Sequence, residues 1–67
     1  MPYFNSTAIA RAEYNERLQE LTIWFRDGRH PYTYFRVPLS VYQGLLAAPS
    51  KGVYFARSIE PIYGYRV

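Results

Sequence analysis

The chain has 67 residues, enough for one domain, with a formal net charge of +3 and no cysteine. The absence of cysteine excludes a disulfide framework, a cysteine-based zinc site and thiol catalysis. The N-terminus lacks the basic start and apolar run of a signal peptide, and no stretch approaches the roughly 20 apolar residues of a membrane span. We therefore expect a cytoplasmic protein with no membrane partner.

The first predicted element is a strand within residues 7–14, after a lead-in over residues 1–6. Apolar and charged residues alternate along this stretch before Asn15-Glu16 breaks the pattern like a turn. A hairpin alone is marginal in water and needs a third strand or a helix beside it. A strand here supplies that support; a short helix is the alternative.

Two alternating runs on either side of Asp27-Gly28 predict a central β-hairpin. Asp-Gly between such runs is a strong hairpin signal, and a two-residue loop places Ile23 opposite Tyr32 and Leu21 opposite Tyr34. Successive side chains of a strand point to opposite faces, so this register defines an inner face that we predict to be the core. Its members are Leu21, Ile23, Phe25, His30, Tyr32 and Tyr34.

The opposite face of this hairpin carries two large aromatic residues, Trp24 and Phe35, with Arg36 next in the chain. Aromatic rings among basic side chains are what a stacking surface for single-stranded nucleic acid requires. The alternatives are a face covered by the N-terminal segment or the C-terminal tail, or one buried in a homodimer.

A helix is predicted after Pro38, because proline is tolerated in the first helical turn. Apolar residues follow at helical spacing until Pro49, and we expect their stripe to pack over the inner face of the hairpin. The stripe consists of Val41, Tyr42, Leu45 and Leu46.

Ser50 is a good N-cap and predicts a second short helix over residues 51–59. Phe55 and Ile59 would lie one turn apart in that helix. A strand is the alternative, since Val53, Phe55 and Ile59 also fit a period of two.

These elements predict an α+β fold, a three-stranded antiparallel β-meander with one or two short helices packed on one face. We expect a single domain, with the lead-in at 1–6, the meander at 7–37, a helical part at 38–60 and an extended tail at 61–67. The predicted core residues are Leu21, Ile23, Phe25, Tyr32, Tyr34, Val41, Leu45 and Phe55.

A series of short motifs runs through the second half of the chain. In order they are Tyr32-Thr33-Tyr34, Val37-Pro38, Val41-Tyr42, Leu45, Ala48-Pro49-Ser50-Lys51-Gly52 and Tyr54-Phe55. In this order and spacing they resemble the KTSC domain, a small domain named for the C-terminus of some lysyl-tRNA synthetases and also found as a stand-alone bacterial or phage protein. The resemblance extends over about residues 7–67. It implies a strand in the first part, a helix after Ser50 and, through the synthetase context, RNA binding.

Two positions depart from the family pattern. Val53 stands where a polar or basic residue is common, and Ala56 stands where asparagine is frequent. Both make the stretch after Lys51 less polar, which weakens the RNA interpretation there.

Catalysis is not expected. The single histidine, His30, lies beside the hairpin turn, and the acidic residues are scattered rather than spaced to converge on a metal. No base is evident that would activate a serine nucleophile. We therefore predict a protein that is not an enzyme and holds neither metal nor cofactor.

Seven of the eight basic residues are arginine, which binds phosphate through a planar fork of donors. Ser50-Lys51-Gly52 at a helix start could hold a phosphate, because free backbone N–H groups and the helix dipole favour anions there. The alternative is an N-cap followed by a glycine that allows close packing.

The expected function is a small binding module for RNA or another single-stranded nucleic acid, acting through a basic and aromatic surface. The predicted binding residues are Trp24, Phe35, Arg36, Ser50, Lys51, Gly52 and Arg57. The competing prediction is a protein-interaction or self-association module that uses the aromatic sheet face. A third prediction is a phage-type inhibitor of a host enzyme, which no specific residue supports. Arginines gathered around Trp24 or Lys51 would favour the first prediction; an even spread would favour the second.

Overall fold

The computed structural model describes residues 8–67, so the predicted lead-in at residues 1–6 lies outside the described residues. Six elements follow one another: β1 (Ile9–Asn15), β2 (Glu20–Phe25), β3 (Tyr32–Tyr34), α1 (Leu39–Ala47), α2 (Lys51–Ser58) and β4 (Tyr65–Arg66). The strands form one open antiparallel sheet in the order β1-β2-β3-β4. The α+β class is confirmed. The sheet has four strands rather than the predicted three, because the tail adds β4 beside β3.

The register of the central hairpin is the predicted one, since Ile23 pairs with Tyr32 and Leu21 with Tyr34. The loop is longer than Asp27-Gly28, however, because β3 begins only after Pro31, a residue with no N–H to donate to a ladder. Gly28 adopts φ +80 and donates its N–H to the Phe25 carbonyl at 3.3 Å, which closes the turn. His30 is exposed in this loop, so its predicted place on the inner face is wrong.

β1 is a strand, as predicted, and it contains a bulge at Ala10. Ile9 pairs with Phe25, whereas Arg11 already pairs with Trp24. The extra residue shifts the alternation of side chains by one. Ile9 and Ala12 therefore both face inward and are fully buried, although a regular strand would place them on opposite faces.

α1 packs its apolar stripe on the sheet as predicted, with Pro38 as its N-cap rather than inside its first turn. Leu45 is fully buried, and Val41 and Tyr42 are partly buried against the core. Leu46 lies at the edge of the stripe and is 40 % exposed.

α2 confirms the helix predicted after Ser50, and the strand alternative is wrong. The Ser50 hydroxyl accepts a hydrogen bond from the Val53 N–H at 3.3 Å, which satisfies one of the free donors of the first turn. Within residues 8–67, neither helix is long or apolar enough to cross a membrane.

The core lies between the helices and the inner face of the sheet. Its buried members are Ile9, Ala12, Leu21, Ile23, Tyr34, Val37, Leu45, Phe55 and Ile59. The Phe55 ring meets the rings of Phe25 and Tyr34 edge-on, each at a centroid distance of 5.4 Å. Three predicted core residues, Phe25, Tyr32 and Val41, pack around this cluster and are only partly buried.

A second contact network fixes the end of the sheet where β3 leads into α1. Gln19 and Arg36 adopt left-handed backbone conformations, with φ of 55 and 57. The Val37 N–H donates to the Gln19 carbonyl at 2.8 Å, and the Tyr14 hydroxyl donates to the Val37 carbonyl at 2.6 Å. These bonds hold the β3–α1 turn against β1 and β2.

Candidate nucleic-acid interface

The face of the sheet opposite the two helices, called the outer face below, is built from residues that alternate with the core. The β-ladder pairs Arg11 with Trp24, Glu13 with Thr22, Thr22 with Thr33, and Thr33 with Arg66. Because cross-strand partners share a face, the outer face includes Arg11, Glu13, Glu20, Thr22, Trp24, Thr33 and Arg66, with Phe35 directly after β3.

Arg11 lies over Trp24. Its guanidinium carbon is 3.9 Å from the centroid of the indole ring, which is close contact for a cation–π pair. The bulge at Ala10 creates this pair, because it turns Arg11 outward, directly opposite Trp24. Trp24 is partly buried in this arrangement.

Arg66 lies over Phe35 in the same way, at 5.2 Å from the ring centroid. β4 positions it, and the Phe35 N–H donates to the Gly64 carbonyl at 2.9 Å, which holds the backbone at Phe35 beside the start of β4. The Arg66 guanidinium also faces Glu20, with Nη2 and Oε1 3.7 Å apart. The Arg66 side chain is 59% exposed and the 3.7 Å separation is long, so the contribution of this pair to stability is small.

Two threonine hydroxyls occupy the centre of the outer face. Thr22 and Thr33 are cross-strand partners, and their Oγ1 atoms are 2.9 Å apart. Trp24 follows Thr22 by two residues on β2, and Phe35 follows Thr33 by two residues beyond β3. Since β2 and β3 are antiparallel, the two aromatic residues lie on opposite sides of the threonine pair.

The formal charges of the outer face are balanced. Arg11 and Arg66 are matched by Glu13 and Glu20 on the same face. Both arginines lie over aromatic rings, which makes the face suited to stacking rather than to strong electrostatic attraction.

The predicted binding residues fall into two separate groups. Trp24 and Phe35 share the outer face, and Arg36 is exposed immediately after Phe35. Ser50, Lys51, Gly52 and Arg57 belong to the α2 region, which packs on the other side of the sheet.

Each residue of the Ser50-Lys51-Gly52 segment has a structural role. Ser50 is the N-cap of α2. The Lys51 ammonium donates hydrogen bonds to the Leu46 and Ala48 carbonyls at 2.9 and 2.7 Å, and so provides partners for carbonyl groups at the C-terminal end of α1. A Cβ at Gly52 would lie 3.3 Å from the Ala8 side chain, so glycine allows α2 to approach the residue before β1 closely. The capping alternative is confirmed, and phosphate binding here stays a prediction.

Two shallow pockets lie outside the outer face. One, of about 290 Å³, has the Asp27–Arg29 ion pair at its edge, with 3.0 Å between Nε and Oδ2. The other, of about 270 Å³, lies between the end of α1 and α2 and includes Val53 and Arg57.

Three tyrosines of the inner side, Tyr14, Tyr34 and Tyr42, have a pKa above the ordinary value for tyrosine. Burial, and to a lesser extent the negative charge of Glu60, raises the pKa of Tyr34 to about 12. Burial also raises the pKa of Tyr42. The pKa of Tyr14 is raised by burial and, to a lesser extent, by the negative charge of Glu16. At neutral pH these hydroxyls are donors, as the bond from Tyr14 to the Val37 carbonyl illustrates.

Two arginines of the outer face, Arg11 and Arg66, do not appear among the residues predicted to bind. Their placement depends on the bulge at Ala10 and on β4, and neither feature has a clear local sequence signal. The predicted hairpin register already places Thr22 and Thr33 on the outer face, together with Trp24 and Phe35. Within residues 8–67, no three metal-ligating side chains are grouped closely enough to hold a metal ion.

The family model described as KTSC domain matches residues 5–63. The chain belongs to the KTSC domain family. The lysine–tRNA ligase of Trichormus variabilis is 42% identical to it over 57 residues, or 85% of this chain and 10% of the ligase. The ligase of Nostoc punctiforme is 43% identical over 54 residues, covering 81% of this chain and 9% of the ligase.

A solved KTSC structure has the same fold. The crystal structure of a KTSC domain protein from Yersinia pestis superposes with a TM-score of 0.92 at 29% sequence identity. The match covers 97% of this chain and 90% of that chain. The resemblance seen in the sequence motifs is therefore confirmed. This KTSC chain spans only about a tenth of the length of the ligases that it matches.

Proposed function

We propose that this KTSC domain is a small, non-enzymatic module whose outer face binds single-stranded nucleic acid, with RNA as its ligand. The observation that carries the proposal is that both aromatic residues of the face, Trp24 and Phe35, lie beneath an arginine guanidinium. Bases that are free of a duplex stack on aromatic rings and on guanidinium planes alike. Each arginine–ring pair is thus a platform for one base.

The same arginines supply the electrostatic part of binding. A guanidinium that stacks with one plane still directs its N–H donors sideways, where they can reach a phosphate. With Arg36 beside Phe35, about three phosphates could be neutralised, giving a logarithmic salt slope near −2 at about −0.7 per contact on a single strand. Because Glu13 and Glu20 offset part of this charge, we expect dissociation constants of roughly 1–100 μM at physiological salt.

The relatives are compatible with an RNA ligand. Two enzymes named lysine–tRNA ligase contain a similar segment over about a tenth of their length. A chain without cysteine that binds RNA is suited to the cytoplasm, the compartment that we propose.

Fluorescence of Trp24 provides a direct test, since it is the single tryptophan of the chain. Titration with oligouridylate of ten nucleotides should quench its emission in a saturable way as a base stacks on the Arg11–Trp24 pair. Duplex RNA and duplex DNA should quench it less, because their bases are already stacked and paired. No saturable change at low salt, with protein that is folded by circular dichroism, would overturn the proposal.

A matched pair of variants separates stacking from net charge. Arg11→Ala and Arg57→Ala each remove one arginine, the first over Trp24 and the second in the last turn of α2. We expect Arg11→Ala to weaken binding of labelled RNA several-fold and Arg57→Ala to change it little. Equal weakening by both would indicate attraction by overall charge, without a defined site.

Protein interaction through the same face is the second candidate function. It is favoured by the balanced charges of the outer face, where Glu13 and Glu20 would oppose a polyanion but suit a protein surface with mixed charges. A pull-down from cell lysate with and without nuclease distinguishes the two. Loss of captured material after nuclease treatment supports RNA; retention of a protein partner that Trp24→Ala abolishes supports protein interaction.

A further inference from the structure

We infer that the paired hydroxyls of Thr22 and Thr33 make the outer face select RNA over DNA by hydrogen bonding to a ribose 2′-hydroxyl. The inference rests on the proposed function. It adds the chemical group, the ribose 2′-hydroxyl, by which the face would distinguish RNA from DNA. Its basis is the position of the pair between the two base platforms.

The geometry of the sheet places the ligand backbone over the threonines. Continuing the Leu21–Tyr34 pairing by one residue sets Phe35 opposite Glu20, four residues along β2 from Trp24. At about 3.3 Å per residue, the two platforms are ~13 Å apart along the strand direction. That is several times the ~3.4 Å rise between neighbouring stacked bases, so bases on the two platforms belong to nucleotides that are not stacked on one another. The sugar–phosphate segment joining them crosses the Thr22–Thr33 pair.

The hydrogen-bond count of the pair leaves capacity for a ligand. Two hydroxyls have two protons, and the contact of 2.9 Å between their oxygens uses one of them. The remaining O–H and the unused lone pairs of the two oxygens can serve as donor and acceptor. Both threonines are only partly buried, and they lie on the face of the sheet opposite the helices.

A ribose 2′-hydroxyl matches this capacity, since it both donates and accepts, whereas deoxyribose has only C–H at that position. A phosphate oxygen only accepts, so it would use half of what the pair offers. One additional neutral hydrogen bond corresponds to a preference of about 3- to 10-fold for RNA.

A threonine pair across two strands also stabilises a sheet by itself. That role would make threonine substitutions lower the free energy of unfolding, but it would not change the ratio of affinities for two ligands. The ratio is therefore the diagnostic quantity.

The test compares ten-nucleotide oligouridylate with oligodeoxyuridylate of the same length, because these two probes differ only in the 2′-hydroxyl. For the wild-type chain we expect dissociation constants that differ by about 3- to 10-fold in favour of RNA. Thr22→Val and Thr33→Val keep the β-branched shape and remove one hydroxyl each, and together they should bring the ratio to about 1 by weakening RNA binding alone. Thr22→Ser, which keeps the hydroxyl, should preserve the ratio.

The outcomes separate the two proposals. Equal affinity of the wild-type chain for both probes, or a preference that survives in the double valine variant, overturns the role of the threonines while the binding face stands. Failure of both probes to bind the folded wild-type chain overturns the proposed function itself. Urea melts of each variant confirm that the protein compared is folded.

Discussion

On the inner face of the sheet Tyr34 is buried against Phe55, whereas Phe35, the next residue, lies under Arg66 on the outer face. Ile23 and Trp24 on β2 show the same contrast, the first fully buried and the second beneath Arg11. Residue type does not distinguish the two faces, since both carry aromatic rings. Their partners differ: the buried ring of Tyr34 packs against Phe55 of α2, whereas Arg11 and Arg66 lie over the outer rings. At the hairpin end of the inner face, Arg29 also lies over the Phe25 ring, at 4.2 Å from its centroid.

The polar groups of the two faces also differ in whether their hydrogen bonds are made within the protein. On the helix side, tyrosine hydroxyls are used internally, as when Tyr14 donates to the Val37 carbonyl and Tyr54 to the Val41 carbonyl at 3.0 Å. On the outer face, the Thr22–Thr33 contact uses one of the two hydroxyl protons, so the pair keeps a donor that a ligand could use. The inner face should therefore govern stability and the outer face binding.

The largest expected effect contrasts neighbouring residues of β2. Ile23→Ala should lower the free energy of unfolding by about 2–4 kcal/mol, the usual range for a large-to-small change in a core. Trp24→Ala should lower it by no more than about 1 kcal/mol, because the partly buried Trp24 lies outside the core and its main contact is the cation–π pair with Arg11. Urea melts of the two variants measure both values. A cost for Trp24→Ala that equals that of Ile23→Ala would make Trp24 a structural residue and remove the distinction between the faces.

Alkaline pH should weaken the inner face through Tyr34. Its pKa in the folded state is raised from 10.0 to about 12, so the folded protein holds this proton more tightly than the unfolded chain does. The stabilisation is complete below pH 10 and is lost as the pH rises towards 12, by at most about 2–3 kcal/mol at about 1.4 kcal/mol per pKa unit. Urea melts between pH 8 and 12 should show this decline, and Tyr34→Phe should have a shallower one. An identical slope in the variant would contradict the assignment.

Gly44 of α1 tests the packing of the two helices above the inner face. A Cβ at this position would lie 2.8 Å from the Cζ atom of the Tyr54 ring, whose hydroxyl bonds to the Val41 carbonyl. The clash should outweigh the gain of about 1 kcal/mol that alanine brings to a helix interior. We expect Gly44→Ala to destabilise the fold by about 1–2 kcal/mol net. Gly64→Ala, where a Cβ meets nothing within 4 Å, is the matched control and should change stability by less than ~0.5 kcal/mol.

The smallest expected effect comes from one inner hydroxyl. Tyr14→Phe removes the bond to the Val37 carbonyl but keeps the ring, which stacks on Tyr42 at a centroid distance of 4.8 Å. The loss should be about 0.5–1.5 kcal/mol in a urea melt. Tyr65→Phe serves as the control, since Tyr65 is 53% exposed and its hydroxyl should contribute little. Similar losses in both variants would argue against a specific role for the Tyr14 bond.

The predictable parts of the structure are those with strong local signals. Asp27-Gly28 between alternating runs sets the β2–β3 register, and Ser50 sets the start of α2. The bulge at Ala10 is not predictable in this way, because alanine fits either face and the pairing with β2 decides which residue is extra.

The outer face could be predicted only in part for the same physical reason. The register alone places Trp24 and Phe35 on one face. The arginines over them depend on long-range pairing, Arg11 through the bulged strand and Arg66 through a strand of only two residues. The use of Lys51 to cap α1 depends likewise on how the two helices meet, which their separate sequences do not specify.

NMR mapping of backbone amide shifts, during titration with ten-nucleotide oligouridylate, tests whether the outer face binds single-stranded RNA. We expect shifts that concentrate on outer-face residues such as Thr22, Trp24 and Thr33 and that saturate together. Amides of α2, including Gly52 and Arg57, should move little. Shifts confined to α2, or no shifts at a protein concentration well above 100 μM, the upper end of the expected range, would contradict a nucleic-acid interface on the outer face.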